Sequence, residues 1–217
     1  MKNVRIWFEK KGTCRFISHL DLTRNMTRAI RLARLPVWYT EGFNPRVYMT
    51  FAMPLSLGVC GERECMDIRL MEDMAFEEIA ARLKERLPED LPVICVAEPV
   101  YKIEEIAFAR YELLFETEDS AIFEEKLRRF LSREEIFVIK HTKKGDKEID
   151  IRPDFVEAEL TCTDRNHLLV SVLLPCSTSG SVNPALLLEA LKRYEELEPF
   201  VEITRTGLLL QDFSKFQ

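Results

Sequence analysis

The hydrophobic period changes once between residues 4 and 34, and that change limits what the chain can fold into. Val4, Ile6 and Phe8 alternate with Arg5, Trp7 and Glu9, the period of a strand with one apolar face. After Gly12 the spacing lengthens. Leu22, Met26, Ala29, Ile30 and Ala33 form one helical stripe, with Arg24, Arg28 and Arg31 opposite it, so a helix is expected over 19–34. Pro36 follows the helix stop, and residues 37–40 read as a short strand. Gly42 and Asn44-Pro45 mark 41–46 as a loop. Strands are expected at 47–53, 65–70 and 92–101, with a helix at 75–87. Counting 37–53 as a strand and its continuation, the order is β-α-β-β-α-β, the split βαβ or ferredoxin-like order.

The second half repeats this order without repeating the sequence. A strand at 109–116 precedes a helix at 120–132. A hairpin over 135–141 and 147–153 turns through Lys144-Gly145-Asp146. Strands at 155–162 and 167–175, a helix at 183–197 with Asn183 as N-cap, and a strand at 200–210 complete it. The expected class is α+β: two tandem ferredoxin-like (βαββαβ) halves with antiparallel sheets, at 1–102 and 108–217. The second half carries one extra strand.

Charge separates the halves further. Residues 1–60 hold ten Lys/Arg against Glu9, Asp21 and Glu41, a balance of +7, while the whole 217-residue chain is at −6. Either the first segment meets an anion, or the basic and acidic parts face each other. No apolar run reaches the roughly 18 to 20 residues of a membrane span, and the N-terminus lacks a signal-peptide core, so no membrane and a cytoplasmic address are expected. The six cysteines never form Cys-x-x-Cys, and no histidine completes a zinc pattern. Neither metal nor cofactor is expected. Phosphate-binding glycine loops, a serine-hydrolase elbow and a metalloprotease helix are also absent from the sequence.

The stretch RFISHLDLTR, 15–24, places a histidine where strand hands over to helix. Ser18 suits an N-cap and Asp21 can reach back to it, as in a capping box. His19 has no such explanation. It is either a first-turn structural residue or a neutral base held by the helix N-terminus. Arg24, Arg28 and Arg31, with Lys10, Lys11, Arg15 and Arg46 near in sequence, are either a solvated face or a phosphate-contact patch. The loop at 41–59 offers Asn44 and Arg46 to a ligand, or serves only as turn chemistry anchored by Phe43 and Phe51. By strand alternation Arg5, Trp7, Tyr48, Thr50 and Arg69 share the sheet face left bare of helices, an arrangement seen in single-stranded RNA platforms. The matching face of the second half is expected to carry Asp150, Glu157 and Glu159, which repel phosphate.

RFISHLDLTR, followed by LPVWYTEGFNPRVYMTFAMPLSLGV at 35–59, EIDIRP at 148–153 and NPALLLEALKRY at 183–194, resembles the bacterial radical SAM-linked (radical SAM-associated) domain family of unknown function. The resemblance covers most of the chain. It implies work beside a radical SAM protein, and the family's gene neighbours imply a link to RNA or translation. Where the family commonly reads Gly-Phe-Asn-Pro-His-Pro, this chain has Arg46 and Val47 in the last two places. A basic contact survives that change; a catalytic histidine at that position does not. The chain also lacks the three-cysteine motif of radical SAM enzymes, so the resemblance implies an accessory rather than the radical generator.

The expectation is therefore an accessory protein that binds RNA, such as tRNA or rRNA, or binds the radical SAM partner, through Arg15, Ser18, Asp21, Arg24, Arg28, Arg31, Asn44 and Arg46. Two alternatives stand beside it. One is a metal-independent endoribonuclease with His19 as acid or base and Arg15 or Arg46 stabilising the phosphorane. The duplicated order with a histidine near the first helix is similar to the RNA-processing endonucleases of CRISPR systems, an analogy of fold alone. The other is a scaffold whose acidic half docks a basic partner.

Overall fold

Val4, Ile6 and Phe8 lie on the strand β1 (Lys2–Lys10), as their alternation requires. A 3-10 turn, Gly12–Phe16, leads into helix α1 (His19–Leu32). Then come β2 (Met49–Phe51), β3 (Cys60–Leu70), α2 (Phe76–Lys84) and β4 (Val93–Ala97). These strands pair antiparallel in the order β2-β3-β1-β4. The structure, a computed structural model, describes residues 1–142 and 145–217; Lys144 of the expected 144–146 turn lies outside the described residues. The chain divides into one unit of Met1–Ile106 with Ser214–Gln217 and a second of Ala107–Phe213. Residues 214–217, counted with the second half in the sequence, thus belong with the first.

One face of the first unit's sheet is its core. Val4, Ile6 and Phe8 of β1 and Met66, Ile68 and Leu70 of β3 pack with Met26 and Ile30 of α1 and Ile79 and Leu83 of α2. Each such side chain stabilises by about 1.5 to 3 kcal/mol when fully buried. The other face is not bare. Arg5 is 0% exposed. Its guanidinium donates to both carboxylate oxygens of Asp67, at 2.7 and 2.8 Å. It also donates to the backbone oxygens of Tyr101 and Gln217, each at 3.0 Å, and lies 4.5 Å from the ring of Phe216. Trp7 meets the same phenyl ring edge-on at 6.0 Å. Arg5 and Trp7 are therefore no part of an open platform. The Asp67 carboxylate, two backbone oxygens and the buried Phe216 ring take that place. Arg69 stacks over Trp38 and Tyr48 further along, at 5.2 and 4.7 Å.

The segment expected as strands at 37–40 and 47–53 forms a looser ribbon. Only isolated bridges, Val37 to Leu70 and Tyr39 to Val47, precede the three-residue β2. Main-chain bonds alternate in partner here: Trp38 donates to Arg69, and Tyr48 donates to Trp38.

The second unit runs β5 (Phe108–Glu116), α3 (Ser120–Leu131), β6 (Phe137–Thr142), β7 (Gly145–Asp150), α4 (Arg152–Phe155), β8 (Glu159–Cys162), β9 (His167–Ser177), β10 (Gly180–Ser181), α5 (Ala185–Glu195) and β11 (Phe200–Leu209). β9 pairs with β8, β10 and β5, and β5 pairs with β11, all antiparallel. The expected hairpin, β6–β7, forms a separate two-stranded sheet. The strand expected at 155–162 starts late because Pro153, suited to a first helical turn, sits in the short α4. Asp150 is not on an open face: its carboxylate accepts from the amides of Ile136 and Arg152, at 2.8 and 3.0 Å. Pro184 rather than Asn183 is the N-cap of α5, although the Asn183 side chain still accepts from the Ala185 amide at 3.0 Å. The architecture is α+β, with antiparallel sheets and five α-helices among the described residues. No helix among them is long and apolar enough to cross a membrane.

Removing Asp67 leaves Arg5 buried with its charge uncompensated. Asp67→Ala is predicted to lower the unfolding free energy by about 3 kcal/mol, read from urea denaturation. A change below about 1 kcal/mol contradicts the central role given to this pair.

Candidate functional site

Helix α1 presents two depressions, one along its exposed face and one at its first turn. Ser18 is extended (φ −67°, ψ 160°), and its hydroxyl oxygen accepts from the Asp21 amide at 3.1 Å, an N-cap. The same hydroxyl donates to the Asp21 carboxylate at 2.7 Å, and Arg24 donates to that carboxylate at 3.0 Å. The Ser18 hydroxyl first, and the Arg24 guanidinium second, hold the Asp21 carboxyl below its ordinary range. Ser18 and Asp21 thus start the helix and fix Arg24.

Arg24, Arg28 and Arg31 line a groove along the exposed face of α1, and Arg46, Val47 and Met49 form its other wall. The groove holds about 1470 Å³ of space open to solvent. Thr23 and Thr27 also line it, but their hydroxyls donate back to the carbonyls of His19 and Thr23, at 2.8 and 2.7 Å. Arg31 lies 5.9 Å from the Tyr39 ring. The side chains of Arg28 and Arg46 have no hydrogen-bond or ion-pair partner among the described residues. The ribbon fixes where Arg46 stands. The Thr40 amide donates to the Arg46 carbonyl at 2.8 Å, and the Arg46 amide donates to the Thr40 hydroxyl at 3.1 Å.

His19 belongs to the other depression. Its ring meets Phe51 edge to face at 5.0 Å, and the cleft around it includes Phe8, Leu55, Lys10 and Glu64. Lys10 and Glu64 are 2% and 4% exposed. The sequence reading put Lys10 in the basic patch and passed over Glu64; the structure buries both, and the signal was present: Lys10 continues the apolar face of Val4, Ile6 and Phe8, and Glu64 that of Met66, Ile68 and Leu70. The Lys10 ammonium lies 3.4 Å from the carbonyls of Arg15 and Ile17, under the turn that enters α1. Gly61 gives the Glu64 carboxylate its room, because a Cβ at that position would require the carboxylate to shift. Loss of hydration, and then the charge of Lys10, push the His19 imidazole below its ordinary pKa.

The sequence-predicted residues therefore separate. Arg24, Arg28, Arg31 and Arg46 come together; His19 does not join them. Arg15, whose guanidinium lies 4.9 Å from the Phe16 ring, lines neither depression. Asn44 is exposed on the loop and also lines neither. No group of acidic, cysteine or histidine side chains that could hold a metal occurs among the described residues, and none of the six cysteines is in a disulfide.

The depressed pKa of His19 carries a sign. The unfolded imidazole takes up its proton near pH 6.5 and the folded one only below that. Stability is therefore predicted to fall as pH drops from about 6.5 towards the folded pKa. A proton–carbon NMR titration should place the His19 midpoint below that of a reference peptide, and Lys10→Met should raise it. A midpoint at or above the peptide value contradicts the cleft's assigned effect.

No curated protein matches the chain. Residues 3–184, most of its length, match a family described as an uncharacterized protein conserved in bacteria, DUF2344. The match takes in β1, α1 with its arginine groove and the His19 turn, and runs to the start of α5. The chain is therefore a member of the DUF2344 family of uncharacterized bacterial proteins.

Proposed function

We propose that this protein binds RNA through the groove along α1 and acts as an accessory to a radical SAM enzyme. One observation carries the RNA reading: Arg24, Arg28, Arg31 and Arg46, from a helix and a ribbon distant in sequence, line one open groove. Three of these guanidiniums, those of Arg28, Arg31 and Arg46, are left without a hydrogen-bond or ion-pair partner among the described residues. Guanidinium donors fit phosphate oxygens in pairs, and several in a row track a backbone. The +7 balance of residues 1–60 adds a favourable long-range field. The partnership with a radical SAM protein rests on the family resemblance of the RFISHLDLTR and GFNPR stretches, and tRNA or rRNA are the proposed ligands on the same ground. Each unit is also proposed to be ferredoxin-like. Supporting this are the β2-β3-β1-β4 order of the first unit and, in the second, the order β8-β9-β5-β11 if the β6–β7 hairpin is set aside as an insertion.

Arg24→Glu, Arg28→Glu and Arg31→Glu together are predicted to abolish most of the affinity for tRNA and rRNA fragments. The slope of log affinity against log salt should shrink by about 2, at roughly 0.7 for each single-strand phosphate that is no longer neutralised. Unchanged affinity in the triple variant, or no RNA binding by the wild type, sinks the proposal.

A second reading, a metal-independent endoribonuclease, draws on the neutral His19 above its cleft with Lys10 and Glu64. RNA incubated with wild type and His19→Ala is predicted to stay intact in both. Cleavage by the wild type that His19→Ala loses would replace the accessory reading with this one.

A further inference from the structure

Phe43 is the most exposed large apolar side chain among the described residues, at 107% of its reference surface. It stands at the tip of the ribbon, between Gly42 and Asn44-Pro45, and no aromatic or cation contact from the described residues holds its ring. The position is nonetheless built. Thr40 and Arg46 exchange two hydrogen bonds at the neck, with Tyr39 and Val47 bridged behind them. Gly42 has φ +124°, a conformation that side-chain-bearing residues rarely adopt, which turns the chain into the tip. Turn chemistry alone asks for glycine, proline or asparagine, all present here, and asks for no aromatic ring. Three residues on, the same ribbon supplies Arg46 to the groove. The one acidic group of the tip is the exposed Glu41.

We infer that Phe43 is a base-stacking residue, and that the groove takes single-stranded rather than duplex RNA. This rests on the RNA-binding reading above and names the form of RNA. The chemistry follows from where base faces are available. In an A-form duplex they are stacked inside, and only an unpaired base offers one to a protein ring. A ring set at a fixed place beside a row of guanidiniums combines the two elements of single-strand recognition, a stacking platform and a backbone track. From Arg24 to Arg31 the helix rises about 10 Å, the span of only a few nucleotides. The ligand is thus a short unpaired stretch, such as a loop or an end, with one base on Phe43 and its phosphates running along α1. The rings of Trp38 and Tyr48, unlike that of Phe43, already pack on each other and on Arg69.

The test measures binding of a ten-nucleotide single-stranded RNA, and of the same sequence as a duplex, to wild type, Phe43→Ala, Phe43→Trp and Arg28→Glu. An exposed ring contributes nothing to packing, so Phe43→Ala keeps the wild-type melting curve. The expected result is a single-strand preference in the wild type and an affinity about ten-fold lower in Phe43→Ala with an unchanged salt slope. Phe43→Trp should bind at least as well as wild type, while Arg28→Glu reduces the slope. Equal binding by wild type and Phe43→Ala, or a preference for duplex, overturns this inference and leaves the groove standing. No RNA binding by the wild type removes both. Adsorption to vesicles of anionic phospholipid without single-strand preference also overturns it, by assigning Phe43 to a lipid surface.

Discussion

The pairing of Arg5 with Asp67 is the constraint on which the first unit turns. A guanidinium at 0% exposure has lost its water, and only a bidentate carboxylate with further acceptors offsets that loss. Two of those acceptors are backbone oxygens, at Tyr101 and Gln217. One charged side chain therefore holds adjacent strands β1 and β3 together, fixes the segment after β4, and anchors residues that follow the whole second unit. The sheet face opposite the helices is covered at Arg5 and Trp7 as a result, and the open groove of this unit lies instead along α1 and the ribbon beside it.

The two depressions on α1 divide the chemistry of the helix. Along its exposed face, charges stand apart from acidic partners, with only Arg24 tied to Asp21 among the described residues. At its first turn, a neutral histidine sits over a buried lysine and a buried glutamate. The first arrangement suits a polyanion met over several contacts. The second holds polar groups at low hydration, where small changes of charge have large effects. Ser18 serves both, since its cap starts the helix at His19 and orients Asp21 against Arg24.

Much of this was legible in the sequence because periodicity reports on packing. The stripe of Leu22, Met26, Ala29 and Ile30 marked the buried side of α1, and by the same logic Arg24, Arg28 and Arg31 marked its exposed side. Ser18 as cap followed from residue type and position alone. What stayed hidden depended on contacts between distant residues. Alternation placed Arg5 and Trp7 on the face without helices, correctly, but nothing near them in sequence announces that Phe216 covers them. Lys10 read as part of the basic patch, and Glu64 fell just outside the strand expected at 65–70, because a charge at a strand end reads as solvent-facing unless its place on the apolar face is counted. Pro153 shows the converse: one residue with a fixed φ overrode an apolar run and turned the expected start of a strand into a helical turn. That Arg46 joins the α1 row, while Asn44 and Arg15 do not, depends on how the ribbon folds back, which no local pattern encodes.

The place of residues 214–217 has a consequence in time. The first unit is interrupted in the chain by the second, Ala107–Phe213, so its covering segment is the last of it to be synthesised. At a translation rate of about 5 to 20 residues per second, the 107 residues between take roughly 5 to 20 s to appear. Through that interval Trp7 lacks the Phe216 ring and Arg5 lacks the Gln217 acceptor, so the nascent first half carries an incompletely bonded cation. A fragment cut at residue 106 stays in that condition permanently.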